Sequence, residues 1–488
     1  MANYLIGLDF GTSQTKVCLL NRDSNTREFI KFDGSDYFLP TIVTLNKNDK
    51  IVYGKKASGV VYRYFKMAAA EDEDLLKVTF EDMSGQIKEH NLDSYRQYNN
   101  DFKLKPDYLV VLYITYIYLY IKSTKENKSQ ALRGLLGKLA TRNNHSENTY
   151  ELNLGVPTEW YNHQFSKRKI KFETLLLTSI KLASRFSNLE KYLAENSTSL
   201  VFIIEEINRE NLIMINSSNY SLTEELVKYN LSVFPESAAG VNYLLKTRRL
   251  KAGYYGTLDI GAGTSDIAIF KVFRNKLQTY YCSESAEIAS NDVYRNYGKL
   301  VGLKSLQSFE LINKAELIVR SKKSSIDLLN RAIFLVRSPN NRDEGLEFVI
   351  RKTFYRKHFI LRHKIEGARS FDFLNRVAGG KLIIFGGGSN FEGFSNGQYC
   401  LFKGQNPMGN DNKYLEAIPI NDFISQVDIT DADEIKSLVN MLVVALGLTY
   451  VDENYNCLHI NLADQSDFPI PTPVDKFKYY DLQDAVFQ

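Results

Sequence analysis

The chain has 488 residues, a length typical of about two to four domains. Hydrophobic residues make up 44% of it and charged residues 24%, which is the composition of a soluble globular protein with a sizeable core. Because 61 Lys and Arg residues nearly balance 57 Asp and Glu residues, the charge argues against binding to nucleic acid or to a membrane surface.

Cysteine usage and the N-terminal segment indicate a cytoplasmic protein. The four cysteines show no Cys-x-x-Cys spacing, so we predict buried thiols and neither a disulfide framework nor a zinc site; they are Cys18, Cys282, Cys400 and Cys457. Asp9 interrupts the first apolar run, and no basic region precedes it, unlike a signal peptide. The apolar run at 108–121 predicts a buried helix, since a bilayer span needs about 20 residues.

The first predicted element is a β-hairpin at residues 4–20, in which two apolar strands flank a glycine-containing tip. Asp9 lies at the end of the first strand, and the tip contains Gly11, Thr12 and Ser13. A glycine tip leaves no Cβ between backbone and ligand, so its N–H groups can bind one anion, most often a phosphate. An acidic residue beside a bound phosphate requires a cation between them, and Mg²⁺ is the usual choice.

The residues after this hairpin predict an inserted region and then a return to the first sheet. Short strands are expected at 40–45 and 51–54, and Lys66 follows in a Tyr-Phe-Lys-Met run. Residues 68–105 are polar and predict a solvated helix face or loop. One or two helices are expected over 107–140, with a break near 123–129.

The next stretch predicts the remaining elements of the first half. A strand at 150–156 precedes Val-Pro and the single tryptophan, a helix follows at 164–186, and 201–204 is predicted to be a strand. A further strand at 230–235 is followed by Glu236 and by a helix to residue 250, which we expect to join two halves of the protein as a hinge.

A second hairpin, at residues 256–270, repeats the design of the first. Asp259 enters its tip and matches Asp9, whereas Asp266 leaves it. The tip residues are Gly261, Ala262, Gly263 and Thr264. One glycine-rich turn with an acid is weak evidence for a ligand site. Two such turns, each heading a long stretch of chain, indicate a duplicated fold whose halves face one nucleotide.

The last part of the chain carries a mostly helical region and a third motif. Glu316 and Arg320 share one face of an amphipathic helix, either as a surface ion pair or as ligand contacts. A strand from residue 381 ends in a turn made by Gly387, Gly388 and Ser389, with Phe391 after it. A final amphipathic helix is expected over 433–451, and a proline-rich extended tail over 464–488.

The two hairpins and the 381–390 motif, in this order, resemble the phosphate and adenosine motifs of the actin, sugar-kinase and heat-shock chaperone ATPase superfamily. The closest resemblance is to a divergent DnaK-like nucleotide-binding domain. It implies an α/β, duplicated ribonuclease-H-like (actin-like) fold with two lobes around a nucleotide cleft. Lobe I would cover 1–245, with an inserted subdomain at about 36–145. Lobe II would cover 246–455, with a helical insertion at about 290–375 and the adenosine motif at 381–394, before a tail at 456–488.

The resemblance also implies residue roles and cofactors, namely ATP or ADP with Mg²⁺. Asp9 and Asp259 would hold the hydrated metal, the tip residues would bind the phosphates, and Asp266 would help to position the attacking water. Lys66 corresponds to the lysine that reaches the γ-phosphate. Glu236 lies one or two residues from the position of the family's glutamate, so either it replaces that glutamate or the contact is missing.

In the same family the adenosine lies between a glutamate and an arginine, which Glu316 and Arg320 match. It also lies on the glycine turn, which Gly387, Gly388 and Ser389 match. Phe391 stands where the chaperones carry an arginine on the adenine face. Three functions follow from the resemblance. The first is a DnaK-like switch that acts through a protein partner, since too few residues follow the last helix for a client domain. The alternatives are a filament-forming, self-assembling ATPase and a small-molecule kinase, for which no carboxylate base can be assigned.

Overall fold

The computed structural model describes sixteen segments of the chain: residues 2–33, 36–46, 50–55, 59–71, 78–81, 87–90, 105–136, 148–161, 166–186, 188–198, 203–209, 221–246, 250–273, 278–286, 382–390 and 432–450. They form a mixed α/β structure, as predicted. None of the helices in these segments combines the length and the apolar character that crossing a membrane requires.

Fifteen strands and eight α-helices occur in the described segments. The strands are β1 (Asn3–Phe10), β2 (Gln14–Asn21), β3 (Thr26–Phe29), β4 (Leu39–Pro40), β5 (Val43–Asn46), β6 (Ile51–Tyr53), β7 (Gly59–Tyr62), β8 (Val78–Glu81), β9 (Ile87–His90), β10 (Thr149–Val156), β11 (Leu231–Pro235), β12 (Gly253–Ile260), β13 (Ser265–Val272), β14 (Gln278–Ala286) and β15 (Leu382–Phe385). The helices are α1 (Phe65–Glu71), α2 (Pro106–Leu136), α3 (Ser166–Ser184), α4 (Leu189–Thr198), α5 (203–209), α6 (Leu222–Lys228), α7 (Glu236–Lys246) and α8 (Ala432–Leu448). Short 3₁₀ turns lie at Thr158–Tyr161 and Gly387–Asn390.

Two mixed sheets dominate, and they share one strand pattern. The first has the order β11-β10-β1-β2-β3, with β4 added to β2. Strand β2 is antiparallel to both of its neighbours, β1 and β3, whereas β1 is parallel to β10 on its other side. The second has the order β14-β13-β12-β15, again with three antiparallel strands followed by a parallel fourth. The β1–β2 and β12–β13 hairpins therefore occupy equivalent places in the two sheets.

Two smaller sheets lie in the region that was predicted as an insertion. Strands β5, β6 and β7 form one, and β8 pairs with β9 in the other. The second pair shows that the prediction of only helix or loop for residues 68–105 is wrong. The segment Val-Thr-Phe-Glu of β8 alternates apolar and polar residues, as is typical of strands, whereas Ile-Lys-Glu-His of β9 does not.

Helix α2 packs against the first sheet and is continuous over Pro106–Leu136. Its apolar segment is buried, including Tyr113, whose hydroxyl donates to the carbonyl oxygens of residues 39 and 40. The predicted break near 123–129 is wrong. Thr124 donates back to the Tyr120 carbonyl at 2.8 Å, and Lys125 pairs with Glu28 of β3, so contacts within the helix and to the sheet continue through the polar segment.

The predicted strand at 201–204 is also wrong where the structure describes it, because residues 203–209 are helical. Ile203 and Ile207 are both buried, at the four-residue spacing that places two side chains on one helix face. Glu206, between them, pairs with Arg185 at the end of α3. The β-branched residues favour a strand locally, but packing against the core outweighs that preference.

Helix α8 joins the two sheets. It packs across α7 so closely that a Cβ atom on Gly447 would lie 1.6 Å from the carbonyl oxygen of Ala239. A Cβ atom on Gly7 of β1 would likewise lie 2.3 Å from the carbonyl oxygen of Ala445. Backbone therefore meets backbone on both sides of the helix, and one hydrophobic core extends from a face of the first sheet through α7 and α8 to the second sheet.

The first sheet also holds the C-terminal end of α8. Asn153 donates to the Leu448 carbonyl at 2.8 Å. Arg27 donates to the Thr449 hydroxyl at 3.0 Å, and its guanidinium lies 3.8 Å from the centre of the Tyr450 ring. The Asn153 bond satisfies a carbonyl group that a helix end leaves without a partner, and the three contacts together fix the end of α8 to the first sheet.

Candidate functional site

The tips of the two equivalent hairpins face one cavity of about 860 Å³, its open mouth included. Its described walls come from both hairpins, the start of α1, the segment after β10, the start of α7, the turn after β15 and the middle of α8. The lining residues are Asp9, Gly11, Thr12, Ser13, Gln14, Lys16, Lys66, Met67, Pro157, Glu236, Asp259, Gly261, Ala262, Thr264, Asp266, Gly386, Gly387, Asn440, Met441 and Val444.

The two tips are tight and touch each other. In the first, a Cβ atom on Gly11 would lie 2.4 Å from the Gln14 carbonyl oxygen. In the second, the Gly261 N–H donates to the Thr264 carbonyl at 2.9 Å. Across the cleft, a Cβ atom on Gly263 would lie 3.2 Å from the Thr12 methyl group. The tips therefore present backbone and hydroxyl groups to the same small space.

Asp9 and Asp259 occupy the same position in the two hairpins, each one residue before the end of the central strand. Both are buried. Their neighbours across the hairpins differ, because Asp9 is opposite Lys16 and Asp259 is opposite Asp266. Lys16 Nζ lies 3.0 Å from Asp9 Oδ2. The first hairpin thus carries an ion pair where the second carries two acids.

A second ion pair lies on another wall of the cavity. Lys66, near the start of α1, donates to Glu236 at 2.9 Å, and only 3% of its side chain is exposed. Glu236 is the first residue of α7, directly after β11. The next N–H in the helix, that of Ser237, donates to the Thr158 hydroxyl at 3.1 Å and so fixes the helix start. The sequence offset of Glu236 therefore does not keep its carboxylate out of the cleft.

The cleft has a surplus of negative charge. Four carboxylates line it, from Asp9, Glu236, Asp259 and Asp266, against the two ammonium groups of Lys16 and Lys66. Burial raises the pKa of Asp259 well above its ordinary value, and the other three carboxylates raise it further, with Lys16 acting in the opposite direction. Burial also raises the pKa of Glu236, opposed mainly by Lys66.

A hard divalent cation fits this chemistry, since it would offset the two surplus charges and takes oxygen ligands. In the described segments no three acidic, His or Cys side chains meet in a ready-made metal cage. Mg²⁺ does not require one, because it usually keeps several waters and is bound through one or two carboxylates together with phosphate oxygens. Asp9 and Asp259, facing one cavity from two tips, provide such a pair.

Most of the predicted site residues that the structure describes line the cavity, and three do not. Gly263 contacts Thr12 instead of lining it. Gly388 packs on Ile260, where a Cβ atom would lie 2.3 Å from the Ile260 side chain. Ser389 lies in the adjoining 3₁₀ turn. Glu316, Arg320 and Phe391 lie outside the described residues, as do the predicted helical insertion and the tail.

The sequence prediction missed several lining residues. The signal for Lys16 was present, because Asp9–Lys16 and Asp259–Asp266 share the seven-residue spacing that the hairpin register places opposite each other. Gly386 has a φ of +84°, and a Cβ atom there would lie 2.2 Å from Asp259 Oδ1. Its N–H donates to the Asn440 carbonyl at 2.8 Å. Asn440, Met441 and Val444 of α8 also line the cavity, and no local sequence pattern marks them as site residues.

The described part of the cleft therefore combines two close glycine tips, four carboxylates and two lysines, each of which forms an ion pair with one of the carboxylates. Such a site can bind a polyphosphate together with a hard cation. Its interpretation rests on this geometry and on the motifs, since no protein-family model and no curated protein sequence matches the chain.

Proposed function

We propose that this cleft binds ATP with Mg²⁺ and hydrolyses it, and that the chain is a DnaK-like conformational switch acting through a partner protein. One observation carries the proposal: Asp9 and Asp259, at equivalent positions of two equivalent hairpins, line one cavity. We also infer a duplicated ribonuclease-H-like fold. The common strand order of the two sheets, three antiparallel strands and then a parallel one, supports this inference.

The tips would hold the phosphates. Gly11 and Gly261 allow the close approach of a ligand to the backbone, since neither carries a side chain. The Ser13 hydroxyl is buried at this point and has no hydrogen-bond partner among the described residues. A buried hydroxyl without a partner is costly, and a phosphate oxygen would accept its hydrogen bond. Lys16, at the base of the first tip, adds an ammonium group on the same side.

Asp9 and Asp259 would hold hydrated Mg²⁺ between the tips. A bound ion there would offset the negative charge that develops during phosphoryl transfer. The raised pKa of Asp259 shows how poorly the cleft tolerates its carboxylates without an added cation. The acids are therefore placed for a ligand that brings positive charge with it.

Lys66 and Glu236 would act on the reacting groups. Glu236 accepts a hydrogen bond from the Lys66 ammonium at 2.9 Å, which orients the lysine in the cleft. Lys66 can then donate to a γ-phosphate oxygen, and Asp266 can orient the attacking water and accept its proton. The water oxygen bonds to the γ-phosphorus as the bond to the bridging oxygen breaks, which gives ADP and inorganic phosphate.

Helices α7 and α8 would transmit a conformational change in the cleft to a partner protein. Glu236 begins α7 in the cleft, and Asn440, Met441 and Val444 of α8 line the same cleft. The two helices meet in backbone contact at Gly447 and Ala239. Because such a contact cannot compress, a shift of one helix on ligand binding moves the other.

Steady-state release of phosphate from ATP tests the proposal. We expect Mg²⁺-dependent turnover, and we expect Asp259→Asn to lower it at least about a hundredfold, the scale of removing one electrostatic contact to the transition state. Asp33→Asn is the matched control, because Asp33 is an exposed carboxylate outside the cavity. Near-normal turnover in Asp259→Asn with an unchanged circular dichroism spectrum would refute the role of Asp259.

The same preparation separates the other two functions. Filament growth on addition of ATP, seen by light scattering and electron microscopy, would favour an actin-like assembly. Transfer of the γ-phosphate to a small-molecule acceptor instead of water would favour a kinase.

A further inference from the structure

The aspartates at the matched positions of the two hairpins have different cross-strand neighbours. At the matched register, Asp9 is opposite a lysine, whereas Asp259 is opposite a second acid. The Asp9–Lys16 pair is mostly buried, with 13% of the lysine and 7% of the aspartate side chain exposed. In the second hairpin, the Thr264 hydroxyl donates to Asp266 Oδ2 at 3.4 Å. The first acid therefore already has a cation of its own.

Lys16 also lies where an arriving phosphate would meet it. A Cβ atom on Gly11 would be 3.4 Å from Lys16 Nζ, so the ammonium group lies beside the first tip. It is thus near the tip as well as paired with the acid. A lysine ammonium is a point charge on a flexible stem, and it can change partner without any movement of the hairpin.

We propose that Lys16 is an internal cation that withholds Asp9 from divalent metal until a nucleotide enters. In the empty cleft its ammonium group occupies the Asp9 carboxylate. A triphosphate then attracts Lys16 to its oxygens, which frees Asp9 to bind the metal that arrives with it. Metal and nucleotide consequently bind together and not one after the other. The proposal rests on the proposed nucleotide function and specifies its order of binding.

Mg²⁺ alone is a poor competitor for this position. It dehydrates reluctantly and gains much of its affinity in such sites from substrate phosphates. To bind the empty cleft it would have to displace an ammonium group that is already 3.0 Å from Asp9. It would also face that positive charge at short range in a partly dry site, where charges are screened less than in water.

A purely structural role for Lys16 predicts something different. If the ion pair only fastens the two strands, replacing Lys16 lowers the melting temperature and leaves metal binding without nucleotide unchanged. If Lys16 withholds Asp9, the same replacement creates metal affinity that the natural chain lacks. A gain of binding cannot be produced by a weakened fold, so it separates the two roles.

The test uses Mn²⁺ as the probe, followed by the loss of its free electron paramagnetic resonance signal, on the full chain. Without nucleotide, we expect Lys16→Gln to bind Mn²⁺ at least about tenfold more tightly than the natural chain, because one nearby positive charge is gone. Lys16→Arg keeps the charge and should resemble the natural chain. Adding Asp9→Asn to Lys16→Gln should abolish the gain.

Two results would overturn the proposal: equal Mn²⁺ affinity in Lys16→Gln and in the natural chain, or, where a non-hydrolysable ATP analogue is shown to bind, Mn²⁺ binding to the natural chain that is as tight without the analogue as with it. The second comparison needs no variant and so does not depend on how Lys16→Gln folds. If the gain in Lys16→Gln is found but the analogue does not bind, the nucleotide function fails while the withholding of Asp9 by Lys16 stands.

Discussion

Thr12 and Gly263 bring the two hairpin tips into contact, because the position of a Cβ atom on Gly263 is 3.2 Å from the Thr12 methyl group. Each residue comes from a different sheet. A Cβ atom at this distance is closer than an ordinary van der Waals contact, so a side chain on Gly263 would press on Thr12 at the point where phosphates are proposed to bind.

This contact can be tested by a double-mutant cycle. Gly263→Ala should lower the affinity for Mg²⁺–ATP roughly fivefold to tenfold, about 1 kcal/mol of overpacking at the tip. Thr12→Ser removes the opposing methyl group and keeps the hydroxyl, so it should have little effect alone and should restore affinity in Gly263→Ala. Calorimetric titration measures all four proteins. Additive effects would show that the two tips do not constrain each other.

The Lys66–Glu236 ion pair predicts a pH-dependent stability defect. Lys66→Met leaves a buried carboxylate without its partner, which should cost about 3–5 kcal/mol in unfolding free energy at pH 8. Burial already raises the pKa of Glu236, and loss of the opposing lysine raises it further. The folded state then takes up a proton above the pKa of the unfolded chain, so the defect should shrink as the pH falls towards 5.

Urea unfolding at pH 5 and pH 8 measures this defect. Glu236→Gln in the Lys66→Met background serves as the control, since it removes the charge while keeping the shape, and it should recover much of the lost stability at pH 8. A defect that is the same at both pH values would mean that Lys66 contributes through packing and not through the ion pair.

The carboxylate surplus predicts how the metal-free, nucleotide-free protein responds to pH. The pKa of Asp259 is raised in the folded state, so between the unfolded and folded pKa values the native protein binds more protons than the unfolded chain. Its stability should therefore rise as the pH falls from neutral towards about 4, the ordinary pKa of an aspartate. Asp259→Asn should be more stable than the natural protein at pH 8 and should flatten this dependence.

Thermal unfolding in the presence of a chelator checks this prediction. Asp33→Asn is again the control and should leave the pH dependence unchanged. Lower stability of Asp259→Asn at pH 8 would contradict the view that the cleft holds its acids at an energetic cost.

Gly386 predicts a local requirement for glycine at the third motif. Its φ of +84° lies in the left-handed region, and a Cβ atom would lie 2.2 Å from Asp259 Oδ1. Gly386→Ala should cost at least about 1–2 kcal/mol in stability from the backbone alone and should weaken ATP binding by moving Asp259. Gly253→Ala, in the same sheet, is the control, because its nearest atom would be 3.6 Å away. Equal melting temperatures for the two variants would contradict this requirement.

The sequence was most informative where a pattern is local. Both hairpins, with their acids and glycine tips, follow from strand periodicity and turn chemistry, and the structure contains them. The short helix at 203–209 did not follow, because its isoleucines favour a strand until Ile203 and Ile207 are packed against the core. The strand β3 lacks an apolar pattern of its own and is defined by pairing with β2.

The residues of the cleft show the same difference between local patterns, which the sequence reveals, and long-range packing, which it does not. Lys16 was recoverable from the hairpin register, but Asn440 and Met441 lie on a helix about 180 residues from the second hairpin and reach the cavity only through packing. Gly386 shows a third case. Three consecutive glycines predict a turn. The position that requires glycine is set by the distance to Asp259, which is a tertiary feature that the local sequence does not show.

The most direct test of the central claim is a calorimetric titration of the purified chain with ATP, with and without Mg²⁺. If Asp9 and Asp259 meet around one metal-bound triphosphate, ATP should bind with Mg²⁺ at a dissociation constant of about 10 μM or below, roughly −7 kcal/mol or stronger, and at least about tenfold more weakly in a chelator. No heat of binding and no shift in melting temperature at millimolar Mg²⁺–ATP would contradict it.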